Sequence, residues 1–136
     1  MPSTTQIVIK AENKLGTMAQ IASVLAREGV NIKAFSAPDV VGEGSLRILV
    51  ADLDRTRIAL KEAKIQFKEE TALILSLENK PGALSEVADL LKQAKINITC
   101  GYCTPSREGR RAIVVLTVSD IEKALDVLRG RSLDEF

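Results

Sequence analysis

The chain has 136 residues, 46% of them apolar, which suffices for one ordinary domain or two very small ones with a real core. Only 3% are aromatic, so the core has to be Ile, Leu, Val and Ala, and 19 basic against 18 acidic residues argue against a nucleic-acid partner. Histidine is absent, which excludes Ser-His and Cys-His catalysis and the common His-based metal sites.

Residues 1–6 carry no basic region followed by an apolar stretch, so no signal peptide is expected. A β-prone run at 6–11 then ends at Asn13-Lys14-Leu15-Gly16. Met18, Ile21, Ala22 and Leu25 recur at helical spacing, and Gly29 stops that helix. Residues 31–40 read as a second strand, 41–44 as a turn, and 46–53 as a third strand. A weaker apolar face at Ala59, Leu60 and Ala63 marks a second helix, with 64–70 as a fourth strand. Asp52 and Asp54 stand where that helix begins and read as caps, not catalytic acids.

The same order then recurs. Residues 72–77 form a strand broken by Asn79-Lys80-Pro81-Gly82, and Leu84, Val87, Ala88 and Leu91 form a helical stripe. Lys95, a poorer helix stop than Gly29, precedes strands at 97–104 and 112–118, and a helix face follows at Ile121, Ala124, Leu125 and Leu128. Only 132–136 remain for a fourth strand, which is short, absent or supplied from elsewhere. Shifted by 66, eight of 21 positions match between residues 12 and 32, where roughly one is expected by chance. Beyond the hairpin a shift of 65 places Gly44 on Gly109, Ile48 on Ile113 and Leu60 on Leu125. The chain is thus expected to be α+β, a duplicated ferredoxin-like βαββαβ unit at 1–70 and 71–136, with antiparallel sheets and helices on one face.

Two further features bear on partners. Ile48 to Val50 and Ile113 to Leu116 are apolar at consecutive positions, so both sheet faces should be covered, through a homo-oligomer (a dimer) or a partner protein. No apolar run reaches the roughly 18 residues of a membrane span, so no membrane role is expected. Cys100 and Cys103 do not make a disulfide scaffold, which points to a reducing, cytoplasmic setting. Their CxxC spacing on a strand puts them on opposite faces, and without two more ligands they form no zinc site, so burial as small hydrophobes is expected. The charged stretch 107–111 reads as a solvated hairpin tip.

The best-matched residues are mostly not core residues. A Gly turn entering a helix leaves backbone N–H groups pointing outward with the positive end of the helix dipole behind them, which suits a carboxylate. An Asn amide offers both a donor and an acceptor, so it can hold a carboxylate oxygen and an ammonium hydrogen of one amino acid. The competing reading is that Gly16 and Gly82 relieve backbone strain and the asparagines fill turns. No phosphate-binding glycine signature is present.

Asn-Lys-Pro-Gly-Ala-Leu at 79–84 followed by Ile-Asn-Ile at 96–98 resembles the ACT family of regulatory amino-acid-binding modules. Asn-Lys-Leu-Gly-Thr-Met at 13–18 followed by Val-Asn-Ile at 30–32 looks like a close variant. The resemblance implies two domains paired edge to edge in an eight-stranded sheet, with a free amino acid at their interface. It implies ligand contacts from Asn13, Leu15, Gly16, Thr17 and Met18 and from Asn79, Pro81, Gly82, Ala83 and Leu84. Asn31, Ile32, Asn97 and Ile98 complete the sites, Asn13 working with Asn97 and Asn79 with Asn31. Ala11 and Leu77 stand where serine-sensing members often carry His, and Leu15 replaces the usual Pro. The function implied is a non-catalytic, stand-alone sensor of a small amino acid, with no cofactor and no metal. The alternative is a small regulatory subunit docking on an amino-acid biosynthetic enzyme, as in acetolactate synthase-like systems.

Overall fold

The computed structural model describes residues 3–12, 16–37, 43–105 and 108–129, which form six strands and four helices. They run β1 (Ser3–Glu12), α1 (Thr17–Arg27), β2 (Ile32–Ser36), β3 (Glu43–Val50), α2 (Leu53–Glu62), β4 (Lys68–Glu78), α3 (Ala83–Gln93), β5 (Ile98–Pro105), β6 (Arg111–Val118) and α4 (Ile121–Val127). Two compact units divide the chain, one of residues 5–70 and one from residue 71 onward with Ser3 and Thr4.

In the first unit β3 pairs antiparallel with β1 and with β2. Alternate residues Ile7, Ile9, Leu46 and Ile48 share one sheet face, as the two-residue strand period requires. Against it pack Ile21, Val24 and Leu25 of α1 and Ala59 and Leu60 of α2. These helical positions recur at three and four residues, which gathers them on one stripe. The second unit repeats the plan. β6 pairs antiparallel with β4 and β5, and Leu73, Leu75, Val114 and Leu116 meet Val87 and Leu91 of α3 and Ala124 and Leu128.

The strand pairing changes the repeat register. Ile7 faces Ile48 and Leu73 faces Leu116, so the shift is 66 on the first strand but 68 on the third. Asp52 and Asp120, which cap α2 and α4, keep the same shift of 68. The shift of 65 expected from sequence is therefore wrong. It differs by three residues, an odd number, and would have turned every side chain of the third strand to the other face. The true equivalents are buried alike: Leu60 with Leu128, and Thr56 with Ala124.

Two boundaries also move. The third strand ends at Val50, short of the expected 53, because the Asp52 carboxylate accepts from the Arg55 N–H at 3.0 Å and starts α2. The fourth strand expected at 64–70 is not separate. Lys68 to Glu70 open the single 11-residue strand β4, which runs on through the expected first strand of the second copy. Residues 132–136 lie outside the described residues. The described residues thus hold six strands where eight were expected: one continuous strand replaces two, and the strand expected at 132–136 falls outside the described residues.

Consecutive apolar residues on β3 and β6 are buried as expected: Val8, Leu49, Ile113 and Val115 alternate with the helix-facing residues and are at most 6% exposed in the single chain. Among the described residues β2 bonds to β3 alone and β5 to β6 alone, so both are edge strands. No helix among the described residues is long and apolar enough to cross a membrane.

Candidate functional site

Both first helices are entered through a glycine in the left-handed region. Gly16 has φ +89° and Gly82 φ +93°, and neither helix has a side-chain cap. A Cβ at either position would meet nothing within 4 Å, so the backbone angle and not lack of space demands glycine. The Ala83 N–H leans toward the Lys80 carbonyl at 3.4 Å. Those of Leu84 and Ser85 have no protein acceptor among the described residues, as the first turn of a helix dictates. Thr17 and Met18 open α1 half-buried, and Asn13 and Leu15 lie outside the described residues.

Asn79 has a structural task that the sequence did not reveal. Its side-chain amide donates to the Gly109 carbonyl at 2.8 Å, and its backbone N–H donates to the Arg110 carbonyl at 2.8 Å. It ties the β4–α3 loop to the turn before β6. The turn-forming role is therefore real, and one amide hydrogen and the amide oxygen have no partner among the described residues.

Asn97 is held differently. Its N–H donates to the Ser119 hydroxyl at 2.9 Å and its carbonyl accepts from the Ser119 N–H at 2.9 Å. The backbone is clamped, while the exposed side-chain amide has no partner among the described residues. Asn31 is also exposed, and its carbonyl accepts from the Ala51 N–H at 3.0 Å. Ile32 and Ile98 follow these asparagines half-buried.

The expected site residues of one unit do not converge. Asn79, Pro81, Gly82, Ala83 and Leu84 stand at the start of α3, and Asn97 and Ile98 lie beyond its end. Eleven helical residues span about 16 Å, more than a small amino acid bridges. Leu84, expected on the buried stripe, is 51% exposed. It lies in the first turn, where α3 has not yet reached the core that holds Val87 and Leu91.

Two hollows flank α3. One of about 200 Å³ adjoins the loop, with Glu78, Lys80, Glu86 and Arg111 on its walls. Lys80 Nζ lies 2.7 Å from Glu78, which holds the Glu78 carboxyl below its usual range and pushes the Lys80 ammonium up. Arg111 is not a solvated hairpin residue. It donates to the Ser76 hydroxyl at 3.1 Å and the Ser76 carbonyl at 2.6 Å. The other hollow, about 380 Å³, lies at the far end of α3 and is lined by Ala88, Lys92, Lys95, Ile96, Asn97 and Ile98. Sequence reasoning took Lys95 only as a poor helix stop. The signal that exposes both lysines is the repeat itself, which places Ala26 and Gly29 at their positions.

Cys100 and Cys103 fall on opposite faces of β5, as the strand period requires. The expected burial does not hold: Cys100 is half-buried and Cys103 exposed, because β5 is an edge strand.

Paired βαββα units with glycine-entered helices define the class. The chain belongs to the ACT domain pair family, whose model matches residues 3–135, and ACT domains are regulatory modules. It is similar to protein BT0572 from Bacteroides thetaiotaomicron, at 29% identity and a TM-score of 0.88 over 98% of this chain and 91% of that one. The ligand-free regulatory subunit of aspartate kinase from Thermus thermophilus shares the fold at 16% identity, with a TM-score of 0.61 over 94% of this chain and 95% of that one. The regulatory subunit of aspartate kinase from Thermus flavus shares it at 16% identity, with a TM-score of 0.60 over 95% and 94%. No curated protein matches the sequence.

Proposed function

We propose that the chain is a stand-alone, non-catalytic sensor of a small free amino acid, built of ACT-like domains at 1–70 and 71–136. The observation that carries this is the repeated pairing of a helix entered through a left-handed glycine, with open backbone N–H groups in the second copy, and an exposed strand-two asparagine. The N–H groups take the ligand carboxylate, and the asparagines take its ammonium and a carboxylate oxygen. Because loop and strand-two residues of one unit stand a helix length apart, each site draws its loop from one copy and its strand-two asparagine from the other. Asn13, Leu15, Gly16, Thr17 and Met18 then work with Asn97 and Ile98. Asn79, Pro81, Gly82, Ala83 and Leu84 work with Asn31 and Ile32. A cytoplasmic setting and a homodimer belong to this reading, the latter supported by the uncharged edge strand β5.

A thermal-shift screen of the 20 amino acids on the full chain tests it, since a ligand at 100 times its Kd adds about 2.7 kcal/mol to folding. One or a few small amino acids should raise the Tm, and a flat screen at millimolar concentrations would sink the reading. The second reading is a regulatory subunit docking on a biosynthetic enzyme. Exposed Phe35 on β2, at 53%, favours it, because aromatic anchors concentrate at protein interfaces. Stoichiometric co-purification with a larger chain, lost on Phe35→Ser, would select it.

A further inference from the structure

The two copies differ in charge where their sequences otherwise agree. Around Asn97 the hollow at the end of α3 keeps the partners found around Asn31: Ala88 matches Ala22, Ile96 matches Val30, and Ile98 matches Ile32. Two of its six residues change in charge. Lys92 stands where the first copy has Ala26, and Lys95 where it has Gly29. Gly29 and Lys95 both occupy the left-handed region, at φ +71° and +61°. Glycine adopts that angle without cost, whereas lysine does so against its Cβ. Neither lysine has an ion-pair partner among the described residues, and the Asn97 amide beside them is also unpartnered.

In the first copy the matching corner is met by Arg55, but that charge is committed. Its guanidinium donates to the Glu28 carbonyl at 3.3 Å and lies 3.8 Å from the Asp52 carboxylate. Lysines at a helix end also complement the helix dipole, and α2 ends in the same pair: Lys61 in its last turn and Lys64 at a left-handed angle. Two lysines at a helix end are therefore not distinctive by themselves. What sets Lys92 and Lys95 apart is that they line, with the open Asn97 amide, a hollow of about 380 Å³.

We propose that the hollow at Asn97 selects an amino acid with a carboxylate side chain, held by Lys92 and Lys95, while the position at Asn31 takes no such ligand. This rests on the proposed sensor function and names the ligand class for one of its two sites. Asn97 contacts the backbone end of the ligand, and the two ammonium groups meet the second carboxylate. A neutral amide of the same shape loses the charge-assisted bonds and gains nothing in return.

The test is titration calorimetry of the full chain with L-aspartate, L-glutamate, L-asparagine and L-glutamine. One acid should bind at one site per chain, about 10-fold or more tighter than its amide. The variant Lys92→Ala with Lys95→Gly rebuilds the first copy's corner and should abolish that preference. The preference should also weaken as salt rises, since the lysines are exposed. Equal binding of acid and amide, or a preference that survives the double variant, would overturn the proposal. Neutral amino acids that bind where acids do not would overturn it and leave the sensor function standing. Binding of no amino acid at all would end both.

Discussion

At Gly82 the backbone stands at φ +93° with open space around it, so a methyl group there would strain the chain without clashing. Gly82→Ala should therefore cost about 1–2 kcal/mol, the penalty of a left-handed L-residue, and lower the Tm by a few degrees. A denaturant midpoint equal to the parent's would show that the loop relaxes to another shape. The asparagines separate two roles. Asn97→Ala removes an exposed amide without a protein partner, so it should leave the Tm unchanged while weakening ligand about 10- to 100-fold. Asn79→Ala also removes the bond to Gly109, so it should lower both affinity and Tm. That Asn31 and Asn97 lie off the core was legible in the sequence, because the repeat isolates the asparagines from the apolar pattern. The tie from Asn79 to Gly109 was not. Gly109 lies 30 residues away, and no local periodicity reports such a contact.

The elements were legible where amphipathic spacing is strong, as in α1 with Ile21 and Leu25 and α3 with Val87 and Leu91. The third-strand register was not, because Ile113 to Leu116 are apolar at every position and fit either face. Only pairing to β4 decides it. The β4 boundary failed differently: residues 64–70 read as a strand of their own, yet Lys68 to Glu70 open the single strand that runs on to Glu78. Core and surface now separate cleanly. Leu60 is fully buried in α2, so Leu60→Ala should cost about 2–5 kcal/mol, whereas exposed Leu84→Ala should stay within about 0.5 kcal/mol. Charge links α2 to β4. Arg57 donates twice to Glu69, at 3.0 and 2.6 Å, and this holds the Glu69 carboxyl below its usual range. A lowered carboxyl pKa adds stability that is complete above the ordinary glutamate range and is lost as pH falls through the folded value. Glu69→Gln should thus lower the urea midpoint at pH 7 and have little effect at pH 3. An equal effect at both would assign the loss to packing.

For the whole molecule, the edges supply a reason for a dimer besides the consecutive apolar residues of β3 and β6. β5 runs eight residues without a charged side chain, and its outer backbone groups have no strand beside them among the described residues. Chains that stay monomeric usually blunt such an edge with lysine or an inward charge. β2, the other edge, carries Lys33 within five residues. A dimer joined along β5 would be held by backbone hydrogen bonds more than by apolar area, so its affinity should be sensitive to one blocking residue. Sedimentation of the full chain at micromolar concentration should show a dimer. Cys103→Lys places a cation on the exposed face of that edge and should shift the population to monomer while circular dichroism and Tm stay unchanged. A parent protein that sediments as a monomer would remove the dimer from the proposed function. A Cys103→Lys dimer as strong as the parent's would move its interface away from β5.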